Sequence, residues 1–177
     1  KKNTLAVRLE NLPESSRWYP GAGLYRNVHV IVTENAHIPV WGTYVTTPTA
    51  TKEFAKVNVR TQIVLLEGAD AGKYSVKTSV WNPNGQKLTE QTIPLSQIKY
   101  NDNSLSQEFI IQTPTLWSPD MPALYSAETR LYEGDQLKDI YTTPFGIRSI
   151  EIIPNKGFFL NGEKTVFKGV CNHHDLG

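Results

Sequence analysis

The chain has 177 residues, a length that suits one domain, or one domain with extra pieces attached. Hydrophobic residues at 39% and charged residues at 20% fit a folded protein rather than a disordered one. Eighteen basic and 17 acidic side chains leave a net charge of +1, which gives no electrostatic argument for nucleic acid or a charged membrane as partner.

From the N-terminus, "KKNTLAVRLENL" lacks the apolar core of a signal peptide and turns strand-like by residue 5. "TLAVRLEN" places Leu5, Val7 and Leu9 on one face, and "NVHVIVTE" does the same with Val28, Val30 and Val32. The stretch between these two strands is long enough to be functional or braced by something else. Within it, "ESSRWYPGAGLYRNVHV" sets Trp18, Tyr19 and Tyr25 among Arg17 and Arg26. Aromatic plates beside polar forks suit sugars, since the ring C–H face packs on the aromatic and the hydroxyls take directional hydrogen bonds. The same residues also suit a wedge between two domains.

Period-2 patterning continues. "KVNVRTQIVLL" aligns Val57, Val59, Ile63 and Leu65, and "KYSVKTSVWN" aligns Tyr74, Val76 and Val80. "SLSQEFIIQT" follows, then "ALYSAETRLYEG" with Tyr125, Ala127, Thr129 and Leu131 on one side. Turn chemistry separates the strands. Asn84-Gly85 signals a type I′ hairpin, and "EGDQ" and "LNGE" signal two more tight turns. Helical periodicity is weak throughout; its best candidate, "PLSQIKYNDNS", ends in turn formers. Strands at this spacing from about residue 38 to 148 predict an immunoglobulin-like antiparallel sandwich of about seven strands. With Cys171 the sole cysteine, no disulfide can bridge the sheets, so apolar packing must hold them. In "TLWSPDMPALYSAETRLYEG", Pro119 and Pro122 hold an extended entry into a strand, and Trp117 and Tyr125 read as packing residues.

The chain closes on a hairpin, a strand and a polar cluster, "GFFLNGEKTVFKGVCNHHDLG". Adjacent residues of a strand point to opposite faces, so His173 and His174 cannot both address one ligand while the strand persists. Zinc-type spacing is missing, and neither His29 nor His37 lies in a metal motif, so no metal ligand is assigned. No G-x-S-x-G is present. Cys171 is a thiol nucleophile only if a histidine activates it; at the end of an apolar strand it reads as a buried, inert cysteine.

Three segments, in order, resemble glycoside hydrolase family 2, the β-galactosidase and β-glucuronidase group. "SSRWYPGAGLYRNVHV" is similar to the last strands of that family's sugar-binding jelly roll, and "LWSPDMPALYSAETRLYEGD" to the late strands of its immunoglobulin-like domain. "FGIRSIEIIPNKGFFLNGEKTVFKGVCNHHDLG" is similar to the linker hairpin and first strand of its catalytic (β/α)₈ barrel. The resemblance implies an all-β segment: residues 1–37 from the jelly roll, 38–148 the sandwich, and 149–177 the start of a truncated barrel.

It implies further that both catalytic glutamates lie on later barrel strands, so no catalytic residue falls in this chain and the segment alone is inactive. His173 matches the family histidine at the end of the first barrel strand, where barrel sites sit, and would bind a sugar hydroxyl. Asn172 and Asp175 flank it; the family often carries Glu where this chain has His174. Arg17 falls near the sugar pocket, or else braces the jelly roll against the barrel. The implied partners are a β-galactoside or related carbohydrate and the remaining jelly-roll and barrel domains, with a divalent or monovalent cation in the parent and no cofactor in the segment. The compartment is left open, with periplasmic and secreted locations both compatible with the parent. Unpaired strands within residues 1–35 would pack on the sandwich or pair two copies into a dimer. The rival reading is a stand-alone carbohydrate-binding or adhesive sandwich.

Overall fold

The computed structural model describes residues 2–10, 12, 23–24, 27–97 and 104–171. It divides into two compact units, residues 33–166 and a second formed by 1–32 with 167–177. In chain order the strands are β1 (Ala36–His37), β2 (Thr43–Ala50), β3 (Phe54–Gln62), β4 (Val64–Leu65), β5 (Tyr74–Trp81) and β6 (Lys87–Pro94). They continue with β7 (Ser104–Gln112), β8 (Tyr125–Glu133), β9 (Gln136–Phe145), β10 (Ile150–Ile153), β11 (Gly157–Leu160) and β12 (Glu163–Lys164). The helical content among the described residues is two 3₁₀ turns, Ala71–Lys73 and Leu95–Gln97.

The unit of residues 33–166 is an all-β antiparallel sandwich. One sheet runs β2-β3-β7 and the other β6-β5-β8-β9. In the constant-type immunoglobulin arrangement the fourth strand stays with the first, second and fifth. Here the fourth long strand, β6, pairs with β5 across the Asn82–Gln86 hairpin and so joins the opposite sheet. Short ladders complete the unit: β1 with β4, and the sheet β10-β11-β12.

The predicted inward faces are the buried ones. Val57 and Val59 on β3, Val76 and Val80 on β5, and Ala127 and Leu131 on β8 are all at 0% exposure. The core is not purely apolar, however. On each of four strands one inward residue between the apolar ones is polar: Thr61 on β3, Thr78 on β5, Gln107 on β7 and Thr129 on β8, all buried. Thr78 Oγ1 donates to Gln107 Oε1 at 2.6 Å across the sheets and lies 3.3 Å from Thr129 Oγ1. Gln107 Nε2 donates to the Gln91 carbonyl at 2.9 Å. This polar belt separates two apolar clusters, one around Val57, Val80, Phe109 and Ile147 and one around Val76, Leu95, Leu105 and Leu131. Side-chain hydrogen bonds therefore share with apolar packing the task of holding the sheets together.

The segment from Ile38 through β2 is laced to β9 and the residues just after it by hydrogen bonds that involve side chains, not by a ladder. The Ile38 N–H donates to Asp139 Oδ2 at 2.8 Å and the Trp41 N–H to the Tyr141 hydroxyl at 3.0 Å. The hydroxyls of Thr43 and Thr143 are bonded to each other, and Thr47 Oγ1 donates to the Arg148 carbonyl at 2.8 Å. At the start of β8 the buried Tyr125 takes the Thr115 N–H on its hydroxyl at 2.9 Å, a tyrosine corner.

The two Asn-Gly dipeptides make different turns. Asn161 and Gly162 both have positive φ, 52° and 81°, as type I′ requires. At Asn84-Gly85 only Gly85 does, at 78°. The expected type I′ turn there is instead a three-residue loop, in which the Asn82 N–H donates to the Gln86 carbonyl at 2.9 Å and the left-handed Gly85 donates its N–H to the Asn82 carbonyl at 3.0 Å. The reason is Asn82, whose Oδ1 accepts the N–H groups of Asn84 and Gln86 at 3.0 and 2.9 Å and stabilises the wider loop.

The strands expected at 4–11 and 27–34 do not form among the described residues of the second unit, nor does a strand at 165–171. A strand exists through its ladder, and among the described residues none of these segments joins one. Leu5, Val7 and Leu9 stand at least half exposed, and Val32 is 90% exposed. Their alternation is that of sheet residues without a sheet.

Candidate functional site

The sequence-predicted substrate contacts His173, Asn172, Asp175 and Arg17 lie outside the described residues, as do Trp18, Tyr19 and Tyr25. Cys171 is described and exposed, which corrects the expectation of a buried thiol; its strand is absent, so nothing covers it. Among the described residues no group of three or more His, Cys, Asp or Glu side chains could hold a metal. His37 keeps Nδ1 within 3.0 Å of the Glu34 carbonyl.

The chemically richest region is the joint where the sandwich hands over to the C-terminal hairpin. The chain leaves β9 at Phe145 and passes Gly146, Ile147, Arg148 and Ser149 before β10. Trp117 packs against this link. Its N–H donates to the Ile147 carbonyl at 2.8 Å, and the Arg148 guanidinium carbon lies 4.9 Å from the indole centroid, a cation–π contact. Gly146 is where the indole comes closest; a Cβ there would fall 2.7 Å from Trp117 Cγ.

Asn161, in the type I′ turn between β11 and β12, locks the hairpin onto this link. Its Oδ1 accepts the Ser149 N–H at 3.0 Å, its Nδ2 donates to the Trp117 carbonyl at 3.0 Å, and its own N–H donates to the Ser149 carbonyl at 3.0 Å. Asparagine serves two ends here: it tolerates left-handed φ, and its amide both donates and accepts. Beside the joint lies a groove of about 490 Å³ walled by Tyr44, Thr46, Pro48, Arg148 and Ile150. The sequence flagged Trp117 as packing and 160–163 as a turn, but nothing in the pattern says that the two meet.

Two other charged regions are structural. Around a second groove of about 530 Å³, Glu34 and Glu133 bind Lys138 at 3.4 and 3.0 Å, and Asp70 caps a 3₁₀ turn through the Gly72 N–H. Lys138 is raised above its ordinary pKa, first by its bond to Glu133. On the outer face of the four-stranded sheet, Glu90 takes Lys87 at 2.8 Å and Lys77 at 3.3 Å. These bonds, Lys87's first, hold its carboxyl down at about 2 from an ordinary 4.5. A general acid needs the opposite shift, so Glu90 is an anchor and not a proton donor.

The sign of the pH effect follows. A carboxyl depressed in the folded state stabilises the fold above its unfolded pKa and loses that contribution as pH falls through the folded one. Wild type therefore loses stability between pH 4.5 and about 2 more steeply than Glu90→Gln does. Urea midpoints measured across that window check this; parallel acid limbs would refute it.

The model of the family described as glycosyl hydrolases family 2 matches residues 36–148, well over half of the chain. The chain belongs to glycosyl hydrolase family 2. Among curated relatives, a β-galactosidase of Bacteroides ovatus is 38% identical over 176 residues, covering 99% of this chain and 21% of the relative. A β-glucuronidase of Bacteroides fragilis is 29% identical over 192 residues, covering 99% of this chain and 26% of the relative. Among solved structures, a β-glycosidase from Bacteroides vulgatus superposes with a TM-score of 0.75 at 32% identity, over 89% of this chain and 19% of that one. A family 2 member from Bacteroides cellulosilyticus gives 0.72 at 34% identity, over 81% and 20%. The chain thus spans about a fifth to a quarter of the length of these proteins.

Proposed function

We propose that these residues form the non-catalytic central scaffold of a retaining family 2 glycosidase that hydrolyses terminal β-galactosides. The observation that carries this reading is the 38% identity along 99% of the chain to a β-galactosidase of which it covers only 21%. Retaining glycosidases place two carboxylates about 5–5.5 Å apart across the scissile bond. In this reading both are glutamates beyond Gly177, residues 1–37 complete a jelly roll, 38–148 are the sandwich, and 149–177 begin the barrel. His173 donates a hydrogen bond to a sugar hydroxyl that tightens as positive charge develops on the ring, with Asn172 and Asp175 beside it and Arg17 on the jelly-roll side.

The relatives include β-glucuronidases as well as β-galactosidases, so the sugar is the part to test. The 177-residue segment and the longer protein are assayed side by side on aryl β-galactoside, β-glucuronide and β-mannoside. The expected result is turnover by the longer protein alone, with the galactoside preferred. Turnover by the segment would sink the scaffold reading, and preference for the glucuronide would reassign the substrate.

A further inference from the structure

We propose that Asn84 is a site of spontaneous deamidation, and that Asn161, in the same Asn-Gly setting, is protected from it by the hydrogen bonds of the sandwich–hairpin joint. Asparagine is among the thermolabile residues, and the reaction needs only water. The Gly85 backbone nitrogen attacks Asn84 Cγ and gives up its proton to solvent. Nδ2 takes up a proton and leaves as ammonia, which closes a cyclic imide. Water then opens either carbonyl of the imide. One opening gives aspartate; the other gives isoaspartate, with an added methylene in the main chain. Glycine supplies the least hindered nitrogen because it carries no Cβ. Both Asn-Gly pairs, 84–85 and 161–162, meet that requirement, so the dipeptide alone ranks them equal.

Their surroundings rank them apart. Asn84 is exposed in the loop between β5 and β6, and no hydrogen bond among the described residues holds its side chain. The attacking nitrogen is held by one bond, from the Gly85 N–H to the Asn82 carbonyl at 3.0 Å, in an exposed turn of the kind that opens locally. Asn161 is half-buried and its amide is clamped at both ends: Oδ1 accepts the Ser149 N–H and Nδ2 donates to the Trp117 carbonyl, each at 3.0 Å. Cyclisation there must first break both bonds and leave the Ser149 N–H and the Trp117 carbonyl without them, so each bond thins the reactive population. The conversion has a structural consequence at 84. Asn82 Oδ1 takes the N–H groups of Asn84 and Gln86 at 3.0 and 2.9 Å, a span set by ordinary backbone. An isoaspartyl link lengthens that span and adds a negative charge, so the hairpin loop loosens as the protein ages.

Ageing the longer protein in a warm, mildly alkaline buffer tests the proposal, with peptide mapping by mass and by chromatography that separates aspartyl from isoaspartyl forms. Asn84 is expected to convert at least about tenfold faster than Asn161, the two side-chain bonds of Asn161 accounting for the gap. In concentrated urea, where neither side chain is held, the two rates should converge to within about twofold. Equal conversion at the two sites in the folded protein overturns the proposal, and so does an Asn84 that stays intact. A gap that persists in urea overturns it as well, because the flanking residues would then set the rates and not the hydrogen bonds. Aged wild type should also be cut within residues 82–87 faster than aged Asn84→Ser, which cannot cyclise with loss of ammonia. Equal cutting of the two would refute the loosening of the loop.

Discussion

Replacing Gln107 with alanine is expected to lower the unfolding free energy by about 3 kcal/mol, through a cavity in the core and the loss of a cross-sheet hydrogen bond. Gln107 is 1% exposed and is the member of the polar belt that joins the two sheets, taking Thr78 Oγ1 at 2.6 Å and giving Nε2 to the Gln91 carbonyl at 2.9 Å. In Gln107→Ala the Thr78 hydroxyl retains only its 3.3 Å neighbour Thr129. Replacing both partners by apolar groups of like shape removes the unsatisfied group along with the bond. The double variant Thr78→Val with Gln107→Leu should therefore lie above the sum of its single variants by about 1–2 kcal/mol. Urea unfolding of wild type, Thr78→Val, Gln107→Leu and the double variant closes the cycle, with Gln107→Ala unfolded alongside. A Gln107→Ala loss below about 1 kcal/mol, or strict additivity, would show that the belt is packing filler. The proposed role is specification of register: a sheet displaced along its strands would set Thr78 against an apolar side chain.

Gly146→Ala is expected to cost about 2–3 kcal/mol, the upper range for overpacking, and to lower Tm by about 10 °C. The new Cβ falls 2.7–2.9 Å from three atoms of Trp117. The indole cannot swing aside cheaply. Its residue's N–H is tied to Ile147, its carbonyl to Asn161, and Arg148 covers its ring. Trp117→Leu in the same chain should recover part of the loss by opening that space. Calorimetry decides: a Tm change under about 2 °C for Gly146→Ala would mean that the link relaxes around the methyl group. In the longer protein the same change should loosen the hairpin.

Legibility in the sequence tracked how local each determinant is. The inward face of β8, Tyr125 to Leu131, was readable because a two-residue period needs no knowledge of the partner strand. The same period misled at Leu5–Leu9 and Val28–Val32, because alternation states which face wants burial and not whether a partner sheet is present. Asn84-Gly85 misled for a similar reason: the dipeptide permits type I′, but the Asn82 side chain two residues earlier decides. The placement of β6 in the opposite sheet is a choice between two sheet edges, which no strand encodes alone. The joint was the least legible part, since it unites Trp117, Gly146 and Asn161 from three separated turns. The candidate sugar contacts at 172–175 and Arg17 were named through the family resemblance, and they fall outside the described residues.

The lacing of the segment from Ile38 through β2 to β9 and the residues just after it carries a consequence for synthesis. Its bridges join residues 38–47 to residues 139–148, and the main ladders also pair distant strands, as β3 with β7. Such non-local topologies fold in milliseconds to seconds, whereas ribosomes add only about 5–20 residues each second. A nascent chain that has emerged through Gln112 can form the three-stranded sheet but lacks β8 and β9, so part of the face bearing Val57, Val59 and Phe109 stays uncovered. The free edge of β2 stays unlaced until Arg148 clears the exit tunnel. For those seconds of translation the sandwich is an open clamshell, and it is then that the chain has most need of a chaperone.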